Sequence, residues 1–381
     1  MIYLDSAATT VPFDSVLEEE LLINKSYFAN ASSIHNFGFQ SKKVYEKAKT
    51  NILKLLHLER SFDLVFTSGA SESNNLVLRE ITKHFKNRGK TILVSAIEHP
   101  SVLLTAKSLE KEGFNVVEIP VGENGLVDLD KFKSLLNNDV ILVSIMTVNN
   151  EIGVIQNFKE LSNEIRKYPK ILFHTDATQS LGKEIIDYSI FDFISFSAHK
   201  FHSTKGTGGL IFNKKISFTP FVIGGSQQNN LRAGTLDIAS YAGAALALEL
   251  TMAKLKENYK HICDLRDFLI EQISLIDEIS LNSNSFCTPY IVNFSLKKHK
   301  ASVIVEGLSE REIYVSSVSA CSSKKENVSY VILAMGKSLQ EASNTIRVSF
   351  SETNTIEELK IFIENLKALL REVRPLWSMI F

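Results

Sequence analysis

Phe191-Asp192-Phe193-Ile194-Ser195-Phe196-Ser197-Ala198-His199-Lys200 decides how the chain is read. Phe191, Phe193 and Ser195 alternate with Asp192, Ile194 and Phe196. A short, aromatic, largely apolar run of this kind predicts a buried strand. It ends in polar groups, Ser197, His199 and Lys200, and Lys205-Gly206-Thr207-Gly208-Gly209 follows before a second apolar run, Leu210-Ile211-Phe212. A lysine at the mouth of a buried strand is poorly solvated. Desolvation lowers the pKa of an amine, and a neutral amine attacks carbonyl groups. The plainer alternative is a lysine that snorkels to the surface.

Working outward, the same logic recurs. Leu64-Val65-Phe66 leads into Thr67-Ser68-Gly69-Ala70-Ser71-Glu72-Ser73, then a helix with Leu76, Val77, Ile81 and Phe85 on one face. Strand patterns run over 91–96, 115–121, 140–148 and 171–177. Helical patterns run over 39–58, 101–112, 129–136 and 158–168. Strand–helix alternation on this scale predicts a mainly parallel sheet covered on both faces. Ligands of such sheets bind beyond the carboxyl ends of the strands. The polar clusters fall there: Ser68 to Ser71, Glu98-His99, Asn149-Asn150-Glu151, Asp176-Ala177-Thr178-Gln179 and Ser197 to Lys200. One long helical stretch, 238–276, leads to shorter elements and a smaller α+β domain. The expected division is residues 15–255 for the large domain, with 1–14 and 256–381 in the small one.

Composition narrows the function. The 381 residues suggest about two domains, and 44% hydrophobic with 22% charged residues suits a globular protein. A net charge of −1 supplies no global field for nucleic acid or anionic membranes. No apolar run approaches the roughly 20 residues of a membrane span. No basic, then apolar, leader is visible at the start, so a cytoplasmic location is expected. Cys263, Cys287 and Cys321 are too scattered for a zinc or Cys-x-x-Cys motif, and no metal site is expected. Cys263 reads as core filling. Cys321 lies in a polar loop, Ser319-Ala320-Cys321-Ser322-Ser323-Lys324-Lys325, where the lysines favour a thiolate.

Each strand-end cluster has two readings. Ser68 to Ser71 is an anion site at a helix start or an ordinary N-cap. Asp176 is a partner for a protonated ring nitrogen or half of a buried salt bridge. His99 and His199 are satisfied hydrogen bonders or members of a site. A reactive lysine, an aspartate for a pyridinium nitrogen and a phosphate cup together describe pyridoxal phosphate chemistry. No Gly-x-Gly-x-x-Gly opens the first unit, which counts against a dinucleotide.

Six stretches in order resemble the NifS/IscS-like cysteine desulfurases of the class V aminotransferase family. They are Asp5-Ser6-Ala7-Ala8-Thr9-Thr10, Thr67 to Ser73, Val148-Asn149-Asn150-Glu151-Ile152-Gly153, Asp176 to Gln179, Ser197 to Lys200 and Leu231-Arg232-Ala233-Gly234-Thr235. The resemblance spans Tyr3 to Trp377. It implies fold type I of the pyridoxal-phosphate enzymes, with a mainly parallel seven-stranded type of sheet, and a homodimer. It implies Lys200 as the Schiff-base lysine, Asp176 on the pyridinium nitrogen, and His99 stacked on the ring and moving protons. Ala70, Ser71, Ser197 and His199 would hold the phosphate end, with Thr235 reaching in from the neighbouring subunit. Asn150 and Gln179 would bond the ring, and Arg347, with Asn150, would bind the substrate. Cys321 would take sulfur from L-cysteine as a persulfide, release alanine, and pass the sulfur to an iron–sulfur scaffold or a tRNA-thiolation protein.

The chain departs from the pattern around these positions. Val318 stands for the usual Gly, Ser203-Thr204 for Gly-Pro, Gln227-Gln228-Asn229-Asn230 for a Gln-Glu-Arg-Gly segment, and Asn30-Ala31 for Asn-Pro. The sequence runs four residues past Trp377, so the tail that helps some relatives bind a scaffold is not expected. Two rivals stay open. One is a selenocysteine lyase or another class V enzyme, and the other is a non-catalytic sulfur-transfer adaptor.

Overall fold

A computed structural model of the protein describes residues 1–220, 222–317 and 328–373. The deciding stretch forms a strand at Phe193–Ser197, with all five residues buried. Its alternation feeds two separate cores. Phe193 packs on one face of the sheet with Leu76, Val94 and Leu210. Ile194 and Phe196 pack on the other with Phe66, Phe173 and Leu181. Two apolar faces on one strand require cover on both sides, which the helices supply. Full burial of each such side chain is worth roughly 1.5–3 kcal/mol.

The large sheet has seven strands. Their spatial order is Phe62–Thr67, Gly208–Asn213, Phe193–Ser197, Leu172–Asp176, Val140–Ser144, Thr91–Ser95 and Asn115–Ile119. The five from Phe193–Ser197 to Asn115–Ile119 pair in parallel. Gly208–Asn213 runs antiparallel to both its neighbours. That reversal brings Gly208 to the edge where the other strands end, opposite Thr67 and Ser197. A Cβ on Gly208 would lie 2.2 Å from the Phe196 carbonyl oxygen and 2.6 Å from Gly69 Cα. Only glycine allows that approach.

Asp14–Ser26, Asn36–Leu55, Phe158–Ile165 and Ile238–Ala253 cover one face, through Val16, Ile52, Leu161 and Leu248 among others. Ala70–Leu76 and Pro100–Leu109 cover the other through Leu76, Val102 and Leu109. The smaller unit is an antiparallel sheet, in the order Ser316–Ser317, Thr345–Ser349, Ile291–Leu296 and Ile279–Leu281. Its helices, Leu255–Ser274, Ala301–Ser309 and Ile356–Glu372, bury Leu265, Ile304 and Phe362 against it.

Several details differ from the sequence reading. The stretch 238–276 is two helices, Ile238–Ala253 and Leu255–Ser274, set at 70° to each other. Lys254 leaves the helical region at φ −108°, ψ 10°. The first helix packs in the core of the large sheet and the second in that of the small one, which one straight rod cannot do. Cys263 is half-buried, because Ile262, Leu265, Leu269 and Ile273 take the inward face of its helix. The start of the chain, to which the sequence reading gave no strand, pairs Ile2–Tyr3 in parallel with Ile313–Tyr314. A two-residue strand is too short to show a period. The strand expected up to residue 148 ends at Ser144, with Val148 making an isolated bridge to Ile155, and Ile145 and Val148 remain fully buried. Among the described residues, no single helix is long and apolar enough to cross a membrane.

Candidate active site

The strand ends, the segment after Ile2–Tyr3 and the small sheet enclose a cavity of about 280 Å³. The large domain contributes Ala70, Ser71, His99, Asn150, Asp176, Gln179, Ser197, His199 and Lys200 to its walls, and the small sheet contributes Arg347. Thr235 is exposed and does not line it. Cys321 and Val318 lie outside the described residues.

Asp176 closes the strand Leu172–Asp176 and is buried. Its Oδ2 accepts from Asn74 Nδ2 at 2.8 Å, and its Oδ1 accepts from Thr178 N at 3.0 Å. The buried carboxylate is therefore met by neutral donors among the described residues, not by the salt bridge of the plainer reading. Behind it, His174 is fully buried between Ser144 Oγ at 2.8 Å and Ser195 Oγ at 3.0 Å, and burial lowers its pKa.

Lys200 follows the deciding strand in a single 3-10 turn, Ala198–Lys200. Its Nζ donates to the carbonyls of Ala7 at 2.5 Å and Ala8 at 2.7 Å. Gln179 Nε2 donates to the same Ala7 oxygen at 2.9 Å. His199 Nδ1 is 3.1 Å from Thr9 Oγ1. The segment from Asp5 to Thr10 is thus a wall of the cavity, gripped from the large domain.

His99 caps the helix Pro100–Leu109, with Nδ1 accepting from Ser101 N at 3.2 Å and lying 2.8 Å from Ser101 Oγ. Burial lowers its pKa, Asp176 opposes this and Lys200 adds to it. His199 is pushed down to about 4 by burial, with Lys200, Lys205 and Lys183 adding to the effect. In both, burial favours the neutral imidazole. Ala70 N donates to Ser197 Oγ at 2.8 Å, which ties the turn at Gly69 (φ 149°) to the end of the deciding strand.

Arg347 sits in the strand Thr345–Ser349. Its Nη2 is 2.7 Å from Asp5 Oδ1, and Nη1 donates to the Asn150 carbonyl at 2.8 Å. Two acidic groups lie just behind the walls. Glu98 is pushed up to about 8 by burial, with Asp176 adding. Glu151 is pushed up to about 7 by burial, and its Oε2 accepts from Ser329 Oγ at 2.5 Å. Sequence reasoning missed Asp5, Asn74, Ser101, Met146 and Ser316 as neighbours of the site. Asp5 lay in a quoted motif that assigned it no partner. Asn74, a polar residue on a helix start, gave no signal.

The walls suit pyridoxal phosphate. Asn150 Oδ1, Gln179 Oε1 and Thr178 Oγ1 are buried at the cavity with no hydrogen-bond partner among the described residues. Buried polar atoms are nearly always paired, so orphans grouped around one cavity mark a place for a polar ligand. A buried carboxylate, a primary amine and a hydroxyl-rich turn complete a donor set for a phosphorylated pyridine aldehyde.

The chain is 38% identical to the cysteine desulfurase IscS of Pseudoalteromonas translucida, over 99% of this chain and 95% of that one. Its fold is similar to that of a solved NifS-like protein, at a TM-score of 0.91 and 33% identity, over 98% of this chain and 100% of that one. It is also similar to a structure of SspA in complex with cysteine, at a TM-score of 0.81 and 29% identity, over 93% of this chain and 100% of that one. The aminotransferase class-V family model matches residues 2–362, and the chain belongs to that family.

Proposed function

We propose that this protein is a pyridoxal-phosphate-dependent cysteine desulfurase that converts L-cysteine to L-alanine and leaves the sulfur as a persulfide on Cys321. The observation that carries this reading is the meeting of Lys200, Asp176, His99 and Arg347 around one cavity, in a chain alike over its whole length to desulfurases. Bound pyridoxal phosphate supplies an electron sink for the substrate carbon next to the amine.

Lys200 would hold the cofactor covalently, and Asp176 would face its ring nitrogen. Asn150 and Gln179 would bond the ring, and Ala70, Ser71, Ser197 and His199 would take the phosphate end. Arg347 would grip the substrate carboxylate with Asn150 beside it, since a guanidinium suits a carboxylate's geometry. Lys200, released by substrate, would carry the α-proton, and neutral His99 would accept and return a proton. The Cys321 thiolate would attack the substrate sulfur. The carbon–sulfur bond breaks, a sulfur–sulfur bond forms, and the carbon ends as alanine after protonation.

The finer points belong to the same proposal. A homodimer is supported by exposed apolar side chains on the first helix, the segment after it and the start of the second helix, Leu21, Leu22, Phe28, Ile34 and Phe39. Exposed Thr235, outside its own cavity, would then serve the partner's. The sulfur would pass to an iron–sulfur scaffold or a tRNA-thiolation protein. To test the reading, purified protein is given L-cysteine and both alanine and protein persulfide are measured. Lys200→Ala should end alanine release, and Cys321→Ser should end persulfide transfer while the protein stays yellow. Alanine release by Lys200→Ala at the wild-type rate would overturn the assignment.

A further inference from the structure

Asp5 is the residue for which the reaction as described has no use, and it faces the proposed substrate group. Its Oδ1 lies 2.7 Å from Arg347 Nη2, and the two side chains are only 19% and 11% exposed. Charges so far withdrawn from water are weakly screened. The pair is also held in place. Asp5 bridges in parallel to Ser349, on the strand that carries Arg347, and Ala7 N donates to Ser349 Oγ at 2.9 Å. Nη1 is fixed separately by the Asn150 carbonyl at 2.8 Å.

A guanidinium has five N–H donors, of which Asp5 and Asn150 take two. Of the three that remain, Nε–H is buried without a partner among the described residues, and the second N–H groups of Nη1 and Nη2 are left for a carboxylate, so the ion pair does not block the group. What it changes is the charge. A bare carboxylate entering the cavity is drawn by Arg347 and repelled by Asp5. A zwitterionic α-amino acid meets the same two groups with its carboxylate and its ammonium, and each finds an opposite charge. The Ala7 and Ala8 carbonyls, which accept from the Lys200 amine, add acceptors for an ammonium on the same segment.

We propose that Asp5 is a specificity-determining residue, which offsets the charge of Arg347 so that the cavity admits α-amino acids and discriminates against simple carboxylate anions. The proposal rests on the reading of Arg347 as the holder of the substrate carboxylate.

The test compares propionate with L-alanine, which differ by the amine. Both are measured as competitive inhibitors of sulfide release from L-cysteine, and propionate is also titrated calorimetrically into the protein without cysteine. Asp5→Asn keeps the shape and one acceptor oxygen but removes the charge. Propionate should then bind at least about tenfold tighter, the lower end for one charge a few ångströms away in a site between bulk water and the protein interior. L-Alanine should shift less than about threefold, because its ammonium loses what its carboxylate gains. Asp5→Glu should keep the wild-type ratio, and Asp5→Ala carries the same expectation as Asp5→Asn if that variant does not fold. An unchanged propionate-to-alanine ratio in the neutral variants overturns the role of Asp5. Arg347→Ala separates the two claims. If it weakens both inhibitors while the neutral Asp5 variants leave the ratio alone, only the Asp5 inference fails. If it weakens neither, the reading of Arg347 fails as well.

Discussion

Replacing Glu98 by Gln would change how stability depends on pH, with a slope that the structure fixes. Glu98 has no solvent exposure. Its Oε1 accepts from Ser95 Oγ and from Met146 N, both at 2.6 Å, while Oε2 has no partner among the described residues. Burial pushes its pKa from 4.5 to about 8, and the nearby Asp176 adds to this. The folded protein therefore holds a proton that the unfolded chain has lost. That contribution to stability is fully present below pH 4.5 and disappears as pH rises through about 8. The slope is at most about 1.4 kcal/mol per pH unit, and the whole window is worth at most about 5 kcal/mol. Gln does not titrate, so the variant lacks this slope whatever its constant offset. Urea denaturation followed by circular dichroism, on wild type and Glu98→Gln at pH 5 and pH 8, reads the difference. The variant should gain about 2–4 kcal/mol on wild type between the two conditions. Parallel pH profiles would refute the claim that Glu98 is neutral in the folded protein. The neutral form matters to the site, because it spares Asp176 a like charge next door.

Two further outcomes follow from the same geometry. Gly208→Ala forces a methyl group against the Phe196 carbonyl and Gly69, and backbone on both sides leaves nowhere for it to go. It should lose about 2–4 kcal/mol and retain less cofactor, read by thermal melting and visible absorbance of the purified protein. Asn74→Ala removes the donors to Asp176 Oδ2 and to Ser101 Oγ, 2.8 and 2.9 Å away. A buried carboxylate oxygen left short of a donor costs about 1–3 kcal/mol, and cofactor should be lost faster on dialysis.

Local pattern goes far in this chain because burial on two faces leaves a plain trace. Phe193 against Ile194 and Phe196 announces a central strand, and the polar residues just after each apolar run announce the edge where a ligand binds. The same rule fails where an element has one task in each of two cores. No Gly or Pro next to Lys254 marks it as the corner of 238–276: Ile238–Ala253 is apolar nearly all round and Leu255–Ser274 keeps one apolar stripe, and the positions of the two cores demand the bend. It fails again for Ile2–Tyr3, which owes its strand to Ile313–Tyr314.

The sequence by itself determined the class of fold, the edge of the sheet that carries the chemistry and the residue types gathered there. Alternation and strand-end polarity are short-range properties, written within five to ten residues. Tertiary structure alone decided who meets whom. Asn74 reaches Asp176 across 102 positions, and Asp5 reaches Arg347 across 342. A side chain's face is set by its neighbours in the chain, but its partner is set by which strands lie side by side. Strand order is a property of the packed sheet, where burial, not sequence distance, selects the contacts.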